Sequence, residues 1–158
     1  MISTTSGNTE IRSAVAYVNE LMRNGTIKNL IMSHKNFDYT NQTSISIAEA
    51  VQAFWATNDF KVKVYRPWWR WSKAIAATND ETALNLNVYK LSSYVPDLAD
   101  TIAHEFIHGA NFHVNPNMYS SMATFGHGDN SPFGKENSVP YYIGQKVYDL
   151  AVKVLDHL

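Results

Sequence analysis

An α+β fold is predicted for this chain, and three observations predict it. Apolar residues recur at helical spacing near the start, around residue 104 and at the end. "FKVKVY" alternates strictly from Phe60 to Tyr65, as a half-buried strand does. The strand-like stretches between residues 60 and 89 cluster together and do not alternate one by one with helices.

In chain order, Ile11, Val15, Val18 and Leu21 or Met22 form one stripe of a helix over residues 9–24, stopped at "NG". "IKNLIMSH", residues 27–34, reads as a short buried strand. Ser46 with Glu49 makes a capping-box pattern that opens a second helix, striped by Ile47, Val51 and Phe54. "KAIAAT" and "ALNLNVY" flank the turn signal "TNDE" and read as a hairpin. The second of these puts Leu84, Leu86 and Val88 on one face and Asn85, Asn87 and Tyr89 on the other. A helix follows from about Pro96 to Ala110. Residues 111–137 hold most of the nearby Gly, Pro, Asn and Ser and read as a loop, of a length usually kept for function. Ser138 opens the last helix, continued through Ile143, Val147, Leu150 and Val154.

Length and composition narrow the chemistry. At 158 residues the chain is expected to form one domain over 1–158, with room for a real core. Hydrophobic residues make up 45% and charged residues 17%, as in soluble globular folds. A net charge of −1 gives no global pull toward nucleic acid or an anionic membrane. No apolar run approaches a membrane span, and "MISTTSGNTE" has neither the basic nor the apolar region of a secretory signal. Cysteine is absent, so any metal site must be built from His, Asp or Glu.

"TIAHEFIHGANFH", residues 101–113, holds three of the six histidines. An α-helix turns about 100° per residue, so with His104 at zero His108 falls near 40° and Glu105 near 100°. Ala99, Ile102, Ala103, Phe106 and Ile107 fall between about 160° and 300° on the same wheel. The apolar stripe grips the core while both imidazoles project from the other side toward one point. Glu105 is angled aside, suited to take a proton from activated water and not to bind the metal. Zinc with three protein ligands keeps one position for water and brings that water's pKa near neutrality. A chance HExxH in a chain of this composition is expected at roughly 1%. That low figure favours a metal site over an ordinary exposed histidine face.

His104-Glu105-Phe106-Ile107-His108 resembles the active-site helix of the zincin metallopeptidases. The resemblance implies a zincin-like fold: a small mixed sheet packed with an N-terminal helix, the HExxH helix and a C-terminal helix. It also implies an edge strand before the motif helix that lines the substrate cleft, and "ALNLNVY" stands in the matching place. Zn2+ is the implied cofactor, Glu105 the general base, and a peptide or protein the substrate. A non-catalytic module holding zinc in a closed site is the alternative, signalled by four protein ligands such as His113 and His127 together.

Four residues compete to be the third ligand. The metzincin branch places a histidine six residues after the second, and position 114 here is Val. His113 lies five residues on and would point about 140° from His108 unless the helix broke at Gly109–Asn111. His127 sits in "FGHG", where flanking glycines let backbone approach a site closely. Glu136 would suit a gluzincin, although "FGKENS" reads as loop. Asp129 lacks the surroundings of the aspzincin pattern. His127 is the preferred ligand.

Two further constellations stand out. Tyr141 and Tyr142 lie at the first turn of the last helix. Several zincins use a downstream tyrosine on the oxyanion of the tetrahedral intermediate, so Tyr141 is a candidate for that role beside the plainer one of a packed aromatic. "YRPWWRWSK", residues 65–73, sets three tryptophans beside Arg66, Arg70 and Lys73. With so small a net charge, single-stranded nucleic acid is a poor partner. Core packing is the bland account, and a tryptophan lip over a cleft the functional one. Such a lip would make a sugar-linked peptide, such as a peptidoglycan stem peptide, a candidate substrate.

Overall fold

Residues 1–66, 75–78, 81–115, 125–127 and 135–155 are described by the structure, a computed structural model. Phe60–Tyr65 (β2) forms as predicted, with Phe60 and Val62 buried and Lys61 and Lys63 facing solvent, but the alternation stops there: Val64, expected on the buried face, is exposed. It lies inside a mixed four-stranded sheet of order β1-β2-β4-β3, where β1 is Ile2–Thr4, β3 Ala76–Thr78 and β4 Ala83–Asn87. β1, β2 and β4 run parallel, with Ile2 opposite Phe60 and Val62 opposite Leu84. β3 is antiparallel to β4, with Ala77 opposite Asn85.

The expected hairpin strands therefore pair, although residues 73–74 and 79–80 lie outside the described residues. Their roles in the sheet are exchanged, however. "ALNLN" is an internal strand with neighbours on both sides, and Ala76–Thr78 is the edge beside the motif helix. The strand is also shorter than expected. Asn87 Oδ1 accepts the Tyr89 N–H at 3.0 Å, a local turn that diverts Val88–Lys90 into 3₁₀ conformation before Val88 and Tyr89 can extend the strand.

β1 has no counterpart among the predicted elements, because three residues carry no measurable periodicity. It is held from outside: the Ile2 N–H donates to Asn19 Oδ1 at 3.1 Å, and Asn19 Nδ2 donates to Ile2 O at 2.7 Å. A buried side-chain amide thus replaces the missing strand neighbour.

Thr9–Arg23 (α1) matches the predicted first helix, capped by Asn8, whose side chain accepts the Ile11 N–H. "IKNLIMSH" is corrected. It is helix, Thr26–Ser33 (α2), burying Ile27 and Ile31 four apart. Gly25 at φ 77° turns the chain, and Asn24 Oδ1 accepts the Thr26 N–H at 3.0 Å, so the "NG" that ends one helix also starts the next. Ser44–Thr57 (α3) starts earlier than the Ser46/Glu49 pattern suggested. Thr43 is the cap, its Oγ1 accepting the Ser46 N–H at 3.2 Å, and Ile47, Val51 and Phe54 are buried as expected.

Val95–Val114 (α4) runs four residues past the predicted end, with no break at Gly109–Asn111. Leu98, Ala99, Ile102, Ala103, Phe106, Ile107 and Ala110 bury one face in the core. A Cβ at Gly109 would lie 2.5 Å from Phe60 Cε2, so the absence of a side chain is what seats α4 this close to β2. Val139–Leu155 (α5) packs along α4, with Val139, Ile143 and Val147 fully buried and Leu150 partly so; Val154, expected on the same stripe, is exposed. No helix among the described residues is long and apolar enough to cross a membrane.

Candidate metal centre

The third and fourth turns of α4 carry His104, Glu105 and His108, with the two imidazoles on one side as helical geometry requires. Their Nε2 atoms are 3.2 Å apart. His127 arrives from the segment 125–127, its Nε2 2.9 Å from that of His108 and 3.3 Å from that of His104. Among the described residues, this is the group of His, Asp and Glu able to hold a metal ion.

The donor set fits zinc. Nitrogens bound tetrahedrally at about 2.0–2.1 Å stand ~3.3 Å from one another. Two of the three observed separations match that value and the third is slightly shorter. Three ring nitrogens facing each other cannot all be satisfied by shared protons, whereas one cation takes all three lone pairs. Burial, and after it the neighbouring His127, lowers the His108 pKa to about 3, which favours the neutral imidazole that a metal ion binds.

A short segment is tethered to place His127. The Phe125 N–H donates to Asn111 Oδ1 at 3.0 Å, the Phe125 ring is buried in the core, and Phe125 bridges to Thr40. Farther along, Asn137 ties the entry to α5 to residues 34–38. Its side chain lies 2.7 Å from His34 Nε2 and donates to Asn36 O at 2.9 Å, and its carbonyl accepts the Asp38 N–H at 3.2 Å.

Glu105 is half-buried beside β3. Burial raises its pKa, opposed by hydrogen bonds from the side chain and backbone of Thr78. Thr78 Oγ1 also lies 3.3 Å from Glu105 O, so its one proton is shared between that carbonyl and the carboxylate and ties the edge strand to the motif helix. A carboxylate whose pKa is raised takes up a proton more readily than a solvated one.

Tyr141 and Tyr142 part ways. The Tyr141 ring meets His104 edge-on, centroids 4.6 Å apart, and lies 4.9 Å from His127 with 39% of the residue exposed. Tyr142 instead packs against His34 and Phe37. The competing ligands are not gathered. His113 continues the helix away from the centre, its Nδ1 2.5 Å from Glu81 Oε2 and its ring against Phe54. Glu136 is exposed in a 3₁₀ turn outside the cluster. Asp129 lies outside the described residues, as do Arg70, Lys73 and the three tryptophans of 65–73; Arg66 sits over the Tyr89 ring at 5.8 Å.

Asn111 and Thr78 are the contributors that the residue pattern did not expose. Asn111 is seven residues after His104, hence on the same helical face, a signal masked by its other meaning as a helix terminator. One turn before His104, a cavity of about 210 Å³ opens between α4 and the hairpin, floored by Leu86 and Leu98 and bordered by Asp97, Asp100 and Thr101. No protein-family model, curated protein or solved structure matches the chain.

Proposed function

We propose that this protein is a zinc-dependent peptidase of zincin type, with His104, His108 and His127 as the ligands. The observation that carries this reading is the triangle of three Nε2 atoms 2.9–3.3 Å apart with Glu105 next to it on the same helix. Zinc held by His104, His108 and His127 would supply Lewis acidity that activates water near neutral pH. Glu105, held by hydrogen bonds from Thr78, would be the residue to take a proton from attacking water and return it to the leaving amine. Tyr141, exposed beside His104 and His127, offers its hydroxyl to the oxyanion of the tetrahedral intermediate.

The substrate is a protein or peptide in extended form. Among the described residues β3 is the sheet edge beside Glu105, and a sheet edge can take an extended peptide as an added strand. The neighbouring cavity has room for a substrate side chain. A sugar-linked stem peptide is one member of this class. Among the described residues His113, one fourth ligand of the closed alternative, is engaged with Glu81.

Glu105→Gln tests the reading. Zinc content should stay at one per chain while cleavage of a mixed fluorogenic peptide library falls by orders of magnitude, because the base is gone and the ligands are not. Cleavage at the wild-type rate in that variant would remove Glu105 from the mechanism. A zinc-loaded wild type inert toward every peptide would favour the non-catalytic module.

A further inference from the structure

The stripe of α4 that carries His104 and His108 also carries Asn111, three residues after the second ligand. Asparagine is a poor helix former, and burying its amide is costly unless its hydrogen-bonding groups are used. Asn111 is 3% exposed, and its Oδ1 accepts the Phe125 N–H at 3.0 Å. Among the described residues Phe125 lies outside the named strands, and its strand-like pairing is a single isolated bridge to Thr40, so no extended sheet ladder holds residues 125–127. The backbone reaches His127 only two residues later.

We infer that Asn111 is a positioning residue for the metal centre: its carbonyl oxygen fixes Phe125 and thereby delivers the His127 imidazole to the two on α4. The inference rests on the proposed three-histidine site. One helical face then does two jobs, presenting two ligands directly and anchoring the segment that brings the third. Leucine at 111 would keep the size and the helix but remove the acceptor. Aspartate would keep an acceptor oxygen in the same place.

The test uses the full chain loaded with Co2+, whose visible absorption is intense in a tetrahedral site and weak in a more hydrated, higher-coordinate one. His127→Ala sets the two-imidazole reference spectrum. Asn111→Leu should move toward that reference and weaken metal binding by about ten- to hundredfold in a chelator competition. Asn111→Asp should retain the wild-type spectrum, which a merely structural role for the amide would not predict. Helical circular dichroism checks the fold of each variant. Should the leucine variant not fold, Asn111→Ala, with the best helix former at that position, makes the same comparison. Wild-type spectrum and affinity in the leucine or alanine variant, with His127→Ala impaired, would overturn the role of Asn111 and leave the site standing. A His127→Ala protein indistinguishable from wild type would overturn the three-histidine site itself, and the inference with it.

Discussion

His104 and His108 reach the centre by a different route from His127, and the contrast explains how such a site can be built. The first two stand on a helix whose opposite face is locked in the core by Ile102, Ala103, Phe106 and Ile107, each no more than 1% exposed. Their spacing is a property of the α-helix and holds wherever that helix goes. His127 stands at residues 125–127, outside the named helices and strands and tied by a side-chain amide, a bridge and a buried ring among the described contacts. Its position exists only because several distant parts of the chain agree on it. The helix sets the direction of the site, and the tethered segment completes it.

The sharpest way to break this comparison is to remove ligands from each route in turn. His104→Ala or His108→Ala should abolish stoichiometric zinc binding, measured by elemental analysis after dialysis. His127→Ala should weaken zinc affinity at least about tenfold in a competition titration. His113→Ala should change it little, because that ring faces Glu81 and Phe54. Equal losses for His113 and His127 would mean that a segment from the loop and the end of the helix share the third position, contrary to the geometry described.

A smaller effect is expected from unseating the helix without touching a ligand. Gly109→Ala drives a methyl group to within 2.5 Å of the Phe60 ring, which is itself wedged between Phe54 and Phe106. Overpacking of this kind costs about 1–3 kcal/mol, a fall in Tm of roughly 2–10 °C. Because both helix ligands move with α4 as a unit, zinc affinity should fall less than in His127→Ala. A Tm equal to wild type would show that the core yields more easily than close packing implies.

The smallest effect concerns the other end of α4. Asp100 has its pKa raised to about 6 by burial, with Asp97 and Asp149 adding to the rise, and its Oδ1 faces Gly144 on α5. A folded-state pKa above the unfolded value near 3.8 means that the folded chain holds this proton more tightly. Asp100 therefore costs no stability below about pH 3.8, and its penalty grows as pH rises through about 6. Asp100→Asn should raise Tm at pH 7.5 and lose that advantage toward pH 4. A benefit independent of pH would assign the gain to packing and not to charge.

Local patterns were most legible where one physical period dominates. The stripes of α1, α4 and α5 and the alternation of β2 follow from burial on one side of a regular element. "IKNLIMSH" failed because a short apolar run suits a buried strand as well as a helix; only the turn at Gly25 and the burial of Ile27 and Ile31 separate the two. β1 was invisible for the opposite reason. Three residues make a strand here because β2 and Asn19 lie waiting on either side.

By itself the sequence determined that two imidazoles and a carboxylate would share one helix, that no thiolate could join them, and that Glu105 would stand aside from the histidine pair. Those are consequences of residue type and of a fixed angle per residue. Tertiary structure alone decided the rest. Whether His113 or His127 met the pair depended on α4 continuing straight through Gly109–Asn111, and that continuation is held by burial of Gly109 against Phe60 and of Asn111 beneath Phe125. Which strand formed the sheet edge, and so stood beside Glu105, depended on pairing between segments distant in the chain. Such contacts depend on the joint packing of many residues, and no local spacing records them.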